Sequence, residues 1–190
     1  FLKNGAEFLW TSERSGFRHI YRYSADGRLL AQLTSDDWEV TEIAGVDESA
    51  GQVYFVSTEA GPLERRLYRV ALGGGPITRV TSGAGTHDVS IAPGCQYLLD
   101  TVSSLRRPPR RVLLDRSGAE LAVVDDSGAG VLEDFDLLPT EIVTVTASDG
   151  ALLYARLIRP AGFQAGRKYP AVVFVYGGPH SQNVRDQWQG

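Results

Sequence analysis

At 190 residues, with 43% hydrophobic and 22% charged side chains, the chain is long enough for one sizeable domain or pieces of two and reads as globular and soluble. Its net charge of -4 lacks the concentrated basic surface that nucleic-acid binding needs, and no run approaches the roughly 18 apolar residues of a membrane span, the longest being Ala171 to Val175. A single cysteine, Cys95, excludes an internal disulfide and a cysteine-based metal site, and the three histidines, His19, His87 and His180, are scattered without ligand spacing.

In chain order, the first β-rich stretches are Phe8 to Ser12, Phe17 to Tyr23 and Leu29 to Leu33. Four more follow at Val40 to Val46, Val53 to Ser57, Leu67 to Ala71 and Ile77 to Val80, separated by turn-rich Asp47 to Gly51, Thr58 to Glu64 and Gly73 to Pro76. The two sets are copies of one another. EFLWTSE resembles QVYFVSTE, IYRY resembles LYRV, and AQLTS resembles TRVTS; Tyr21 to Tyr68 and Thr34 to Thr81 are both 47 positions apart. A weaker third copy uses Thr86 to Ile91, Tyr97 to Val102, Arg111 to Leu114 and Leu121 to Val124. A period in the forties with several short strands per repeat is the mark of a β-propeller blade. We therefore expect two full four-stranded blades and most of another, the first repeat lacking its opening strand. The basic cluster Arg106, Arg107, Arg110 and Arg111 is interrupted by Pro108-Pro109 and reads as a solvated turn.

Polar, glycine-rich Asp125 to Gly130, then Pro139, end the repeats. Beyond them, Ile142 to Thr146 and Leu152 to Arg159 flank Ser148-Asp149-Gly150 as a hairpin, and Ala171 to Val175 reads as a strand buried on both faces. We place a domain boundary so that 1–137 forms the propeller part and 138–190 opens a second domain. In that second part, KYPAVVFVYGGPHSQ ends its strand at Tyr176, before Gly177, Gly178 and Pro179. A phenol at a strand's carboxyl end beside a tight turn can donate a hydrogen bond into a pocket, and ligands bind at such places in α/β enzymes. Read alone, Tyr176 is equally a buried tyrosine closing a strand-to-loop junction.

Three phrases together, SERSGFRHIYRY, the order WEV, GVDES, VYFVSTE, LYRV, and KYPAVVFVYGGPHSQ, closely resemble the dipeptidyl peptidase IV branch of the prolyl oligopeptidase family of serine peptidases. The resemblance covers essentially the whole chain. It implies a mainly β fold, the last blades of a propeller running into the first strands of an α/β-hydrolase domain. It also implies a serine exopeptidase that releases N-terminal dipeptides from peptide substrates through an acyl-enzyme, preferring proline or alanine at the second position. Tyr176 matches the tyrosine that donates its hydroxyl to the oxyanion, a role worth roughly 3 kcal/mol of barrier lowering or more. No metal or other cofactor is implied, and dimerisation is common in the family.

The other catalytic parts of the family are expected elsewhere. No Gly-x-Ser-x-Gly elbow occurs in the sequence, and the order Ser, Asp, His would put the triad beyond Gly190. The absence of methionine, with an opening at Phe1, also suggests a piece of a longer protein, and we expect this piece by itself to be inactive. His180 comes too early for the triad base and reads as a loop residue, and His19 reads as hydrogen-bonded packing. Asp36-Asp37 and Asp125-Asp126 read as solvated pairs, not as the paired glutamates that capture a substrate's N-terminus. An acylaminoacyl peptidase, a prolyl endopeptidase, or a non-catalytic propeller scaffold with a degenerate hydrolase domain are the alternatives. One cysteine suits the bacterial cytoplasm or periplasm better than a disulfide-rich secreted protein.

Overall fold

A computed structural model describes residues 1–178 and 181–189. The chain runs through β1 (Glu7–Ser12), β2 (His19–Ser24) and β3 (Leu29–Gln32), then β4 (Val40–Asp47), β5 (Gln52–Ser57), β6 (Arg66–Ala71) and β7 (Thr78–Arg79). Next come β8 (Thr86–Ile91), β9 (Tyr97–Ser104), β10 (Arg107–Asp115) and β11 (Glu120–Asp125), the short helix α1 (Ser127–Val131), one 3-10 turn, and β12 (Thr140–Thr146) and β13 (Leu152–Ile158). Each group pairs in sequence order as an antiparallel meander, giving sheets β1-β2-β3, β4-β5-β6-β7 and β8-β9-β10-β11, followed by the hairpin β12-β13. The expected blade sheets are thus present, the first with three strands.

The 47-residue repeat has a physical content that the side chains reveal. Thr34 Oγ1 accepts the Ile20 N–H at 3.0 Å, and Thr81 Oγ1 accepts the Leu67 N–H at 3.0 Å, both threonines being buried. Leu33 N–H donates to Ile20 O, as Val80 N–H does to Leu67 O, each at 2.8 Å. The junction between sheets repeats too: Val40 N–H donates to Arg18 O at 2.7 Å, and His87 N–H to Arg65 O at 2.9 Å. Each repeat therefore closes its own sheet with a threonine and hands the chain to the next sheet by the same backbone bond.

The middle sheet carries both cores. Along β5 the side chains alternate: Val53 and Phe55 pack with Ile20 and Leu33 of the first repeat and with Val40 of β4, while Tyr54 and Val56 pack with Val89, Leu98 and Val112 of the third sheet. An uninterrupted apolar run there follows from burial on both faces. At Gly45 in β4 an added Cβ would stand 3.3 Å from the Ile91 side chain, so the absence of a side chain lets the second and third sheets close.

Two expectations need correction. Ala171–Val175 forms no strand: the segment joins no sheet, and Val172 is 101% and Phe174 84% exposed. A doubly buried strand needs a hydrogen-bonding neighbour on each edge, and the β12-β13 hairpin does not pair with it. The Arg106–Arg111 region is not a free turn, because β10 begins at Arg107. Its pairing with β9 shifts register between Arg107 and Arg110, which accommodates Pro108 and Pro109 without their missing N–H groups. Arg110 forks onto Glu120 at 2.7 and 2.8 Å, and Asp126 lies 3.2 Å from Arg107, so that basic cluster and Asp126 neutralise each other.

Candidate active-site segment

The segment that carries Tyr176 leaves the β12-β13 hairpin through a small aromatic cluster. Phe163 and Tyr169 have ring centroids 5.3 Å apart, and the Gln164 N–H donates to the Tyr169 hydroxyl at 3.0 Å. Residues 168–178 join no sheet, and Tyr176 itself is 64% exposed. Its ring folds back over the following backbone: a Cβ built on Gly178 would stand 2.5 Å from the Tyr176 hydroxyl oxygen. Pro179 and His180 lie outside the described residues.

Residues 182–188 then return to the rim of the propeller sheets. Arg65, 8% exposed, donates from Nη2 to Gln182 Oε1 at 2.7 Å. The Gln182 amide nitrogen donates to Pro62 O at 2.8 Å and to Val184 O at 3.0 Å. Asp186 makes three further links: its N–H donates to Leu63 O at 2.9 Å, its Oδ1 accepts the Leu105 N–H at 2.8 Å, and its carbonyl accepts the Thr86 hydroxyl at 3.0 Å. Trp188 N–H donates to Ser103 Oγ at 3.3 Å. Burial, and then the charge of Arg185, push the Arg65 guanidinium below its ordinary value.

Beside this anchor a cavity of about 390 Å³ is lined by Leu63, Glu64, Leu105, Arg106, Ile142 and Asp186, so it is shared by the propeller rim, β12 and the returning tail. A cavity of about 440 Å³ lies at the opposite end of the β5-β6 hairpin, among Gln52, Tyr54, Ala71 and Arg116. Only the first touches the segment that follows Tyr176, so it is the better candidate for a functional space.

The histidines divide as structural residues. His19 Nδ1 lies 3.1 Å from Thr34 Oγ1 and Nε2 lies 3.0 Å from Asp36 O, with Trp38 edge-on at 5.1 Å, which is the hydrogen-bonded packing expected of it. His87 Nδ1 lies 2.8 Å from Asp100 Oδ2, both residues buried between β8 and β9. Asp36 and Asp37 are exposed, as read. Among the described residues no group of three or more His, Cys, Asp or Glu side chains could hold a metal, and no helix is long and apolar enough to cross a membrane. Sequence reasoning missed Arg65, Gln182 and Asp186. Gln182 closes the quoted motif, but its partner is 117 positions away.

Residues 1–109 match the family described as "Dipeptidyl peptidase IV (DPP IV) N-terminal region". Human dipeptidyl peptidase 8 is 32% identical over 222 residues, covering 97% of this chain and 24% of that protein. The probable dipeptidyl-aminopeptidase B of Aspergillus niger is 36% identical over 188 residues, covering 93% of this chain and 20% of that protein. The crystal structure of Porphyromonas gingivalis dipeptidyl peptidase 4 superimposes with a TM-score of 0.90 at 30% identity, covering 98% of this chain and 27% of that one. The chain thus spans about a quarter of the length of the proteins it matches. The repeated sheets, the tyrosine motif and these similarities lead to one conclusion: the chain belongs to the dipeptidyl peptidase IV branch of the prolyl oligopeptidase family of serine peptidases.

Proposed function

We propose that the chain is part of a serine exopeptidase that removes N-terminal dipeptides, with 1–137 the end of its propeller and 138–190 the start of its α/β-hydrolase domain. The observation that carries this reading is that similarity to dipeptidyl peptidases extends over 97% of the chain, past residue 109 and through the Tyr176 motif. In this reading the apolar run Ala171–Val175 becomes a central strand of the hydrolase sheet once neighbouring strands cover it.

Tyr176 is the oxyanion donor. During attack by a serine on the substrate carbonyl, negative charge develops on the carbonyl oxygen, and a phenol O–H held in place stabilises that charge more than it does the neutral ground state. The acyl-enzyme is then hydrolysed by water. The substrate preference is for proline or alanine at the second position, and the family resemblance also suggests a homodimer. The sequence lacks a Gly-x-Ser-x-Gly elbow, so the chain alone is expected to be inactive.

The test is Tyr176→Phe in the complete enzyme, assayed on a Gly-Pro chromogenic amide. We expect kcat to fall about 10²-fold with the fold intact. An unchanged kcat removes Tyr176 from the mechanism.

A further inference from the structure

We propose that the cleft between the second and third sheets, at the end away from β12 and the returning tail, binds a small phosphate monoester through Arg69 and Arg116. The site lies apart from Tyr176 and does not depend on the role of that residue.

The repeat itself points to it. In the first sheet Arg22 stands opposite Leu9, and Glu7, two residues back along β1 on the same face, takes its charge at 3.6 Å. In the second sheet Arg69 holds the place of Arg22, 47 positions on, and stands opposite Tyr54. Two residues before Tyr54 comes Gln52, where EFLWTSE opens on a glutamate and QVYFVSTE on a glutamine. The amide keeps the shape of the acid and drops its charge, so Arg69 lacks the counter-ion of its repeat partner. Among the described residues no carboxylate forms an ion pair with Arg69 or Arg116, whereas Arg22, Arg66, Arg107, Arg110 and Arg159 each have one. Arg69 is also half-buried, and a guanidinium partly withdrawn from water without a counter-ion favours an anion beside it.

Strand register gathers the other groups around it. Tyr54, Arg69 and Thr78 stand opposite one another across β5, β6 and β7, so all three side chains leave the sheet on the side that packs against the third sheet. From the third sheet the β10-β11 turn brings Arg116. That turn is pinned: the Tyr54 hydroxyl lies 3.5 Å from Arg116 O, and Gly118, at φ +92, sits so close to the Val80 carbonyl oxygen that a Cβ there would run into it. Arg69, Arg116, Gln52, Tyr54 and Thr78 thus line one cavity of about 440 Å³, and no carboxylate is among its lining residues. Asp47 feels the charge of Arg116, but no ion pair joins them: its Oδ1 accepts the Ser49 hydroxyl at 2.6 Å and the Ala50 N–H at 3.0 Å, and its Oδ2 is buried without a partner. Asp115, beside Arg116 in the chain, is engaged by Ser117 and Ala119 within its own turn.

The chemistry of the walls selects the occupant. Two planar guanidinium forks carry a charge of +2 and grip a tetrahedral dianion by paired N–H···O bonds. The Gln52 amide and the Thr78 hydroxyl add uncharged hydrogen-bonding groups. The cavity is within the size range of small-molecule sites, and Ala50, Ala71 and Pro76 give it an apolar wall for the carbon group of an ester. A ligand held by Arg69 from β6 and by Arg116 from the β10-β11 turn bridges two sheets, and so binds only where both are folded against each other.

The test is calorimetric titration of the complete enzyme with phenyl phosphate and with inorganic phosphate at fixed ionic strength. Phenyl phosphate is expected to bind with a Kd of about 1 mM or tighter, and inorganic phosphate several-fold more weakly. Arg69→Gln and Arg116→Gln should each weaken phenyl phosphate at least about tenfold. Arg79→Gln removes an exposed charge from β7 on the opposite face and should change Kd less than about twofold. Gln52→Glu restores the acid of the first repeat, and should weaken binding at least about tenfold while keeping the wild-type unfolding midpoint. Arg116 is exposed on a turn and Gln52→Glu adds a partner, so these two variants decide the matter even where Arg69→Gln fails to fold. A Kd above about 10 mM for both probes, an unchanged Kd in Gln52→Glu or Arg116→Gln, or an equal loss in Arg79→Gln would overturn the site. A glutamate-rich peptide that binds there more tightly than phenyl phosphate would overturn the assignment to phosphate.

Discussion

Replacing Phe55 with alanine probes whether the middle sheet is held from the first-sheet side in the way the structure indicates. Phe55 is fully buried, and its ring stands between Trp38, 6.1 Å away at 6°, and Tyr68, 5.9 Å away at 22°. Around it lie Ile20, Leu33, Val40 and Val70. Truncation of a buried phenylalanine costs about 3 to 5 kcal/mol, and the loss of two stacked contacts places this site toward the upper end. At roughly 2 to 4 °C per kcal/mol for a unit of this size, the unfolding midpoint should fall by about 6 to 20 °C. Thermal unfolding followed by near- and far-ultraviolet circular dichroism measures it, with Trp10→Ala as control, since Trp10 is 58% exposed. A fall below about 3 °C, or one equal to the control, would refute the assignment of Phe55 to a dry interface between sheets.

Two further substitutions test the turns and the buried phenol. Gly118 has φ +92, and a Cβ there would run into the carbonyl oxygen of Val80 on the neighbouring sheet, whereas Gly27, at φ +89, has nothing within 4 Å. Gly118→Ala should cost about 2 kcal/mol or more and Gly27→Ala about 1, the difference reporting the contact between sheets in urea titrations; equal costs would deny that contact. The Tyr68 hydroxyl donates to Glu59 at 2.6 Å, and burial first, then that carboxylate, push its pKa well above the ordinary value. Because the folded state favours the protonated phenol, its contribution is fully present below about pH 10 and is lost as pH rises through the higher folded value. Tyr68→Phe should cost about 1 kcal/mol at neutral pH, Glu59 being exposed and able to return to water, and should flatten the loss of stability above pH 10. A variant whose midpoint declines as steeply as wild type above pH 10 would contradict this.

Much of the propeller part could be read directly, because its information is local. Alternation along β5, glycine-bearing turns such as Asp47 to Gly51, and a spacing of 47 between Thr34 and Thr81 all act within a few residues or within one repeat. The role of those threonines was hidden, since a TS recurring at 34–35 and 81–82 says nothing of the N–H it will accept. The Arg107 to Arg111 stretch was misjudged for a related reason: two prolines argue against a strand unless a bulge in the partner's register absorbs them.

What the sequence by itself determined was the order of the strands, the repeat, and the Tyr176 motif with its family resemblance. Tertiary structure decided which apolar run becomes a strand and which residues meet the motif. Ala171–Val175 has every local mark of a strand, yet pairing is a property of its neighbours, and the described strands leave it unpaired. Arg65 reaches Gln182 across 117 positions because the third sheet fixes its backbone and a rim loop aims its guanidinium, a geometry that no spacing in the chain encodes.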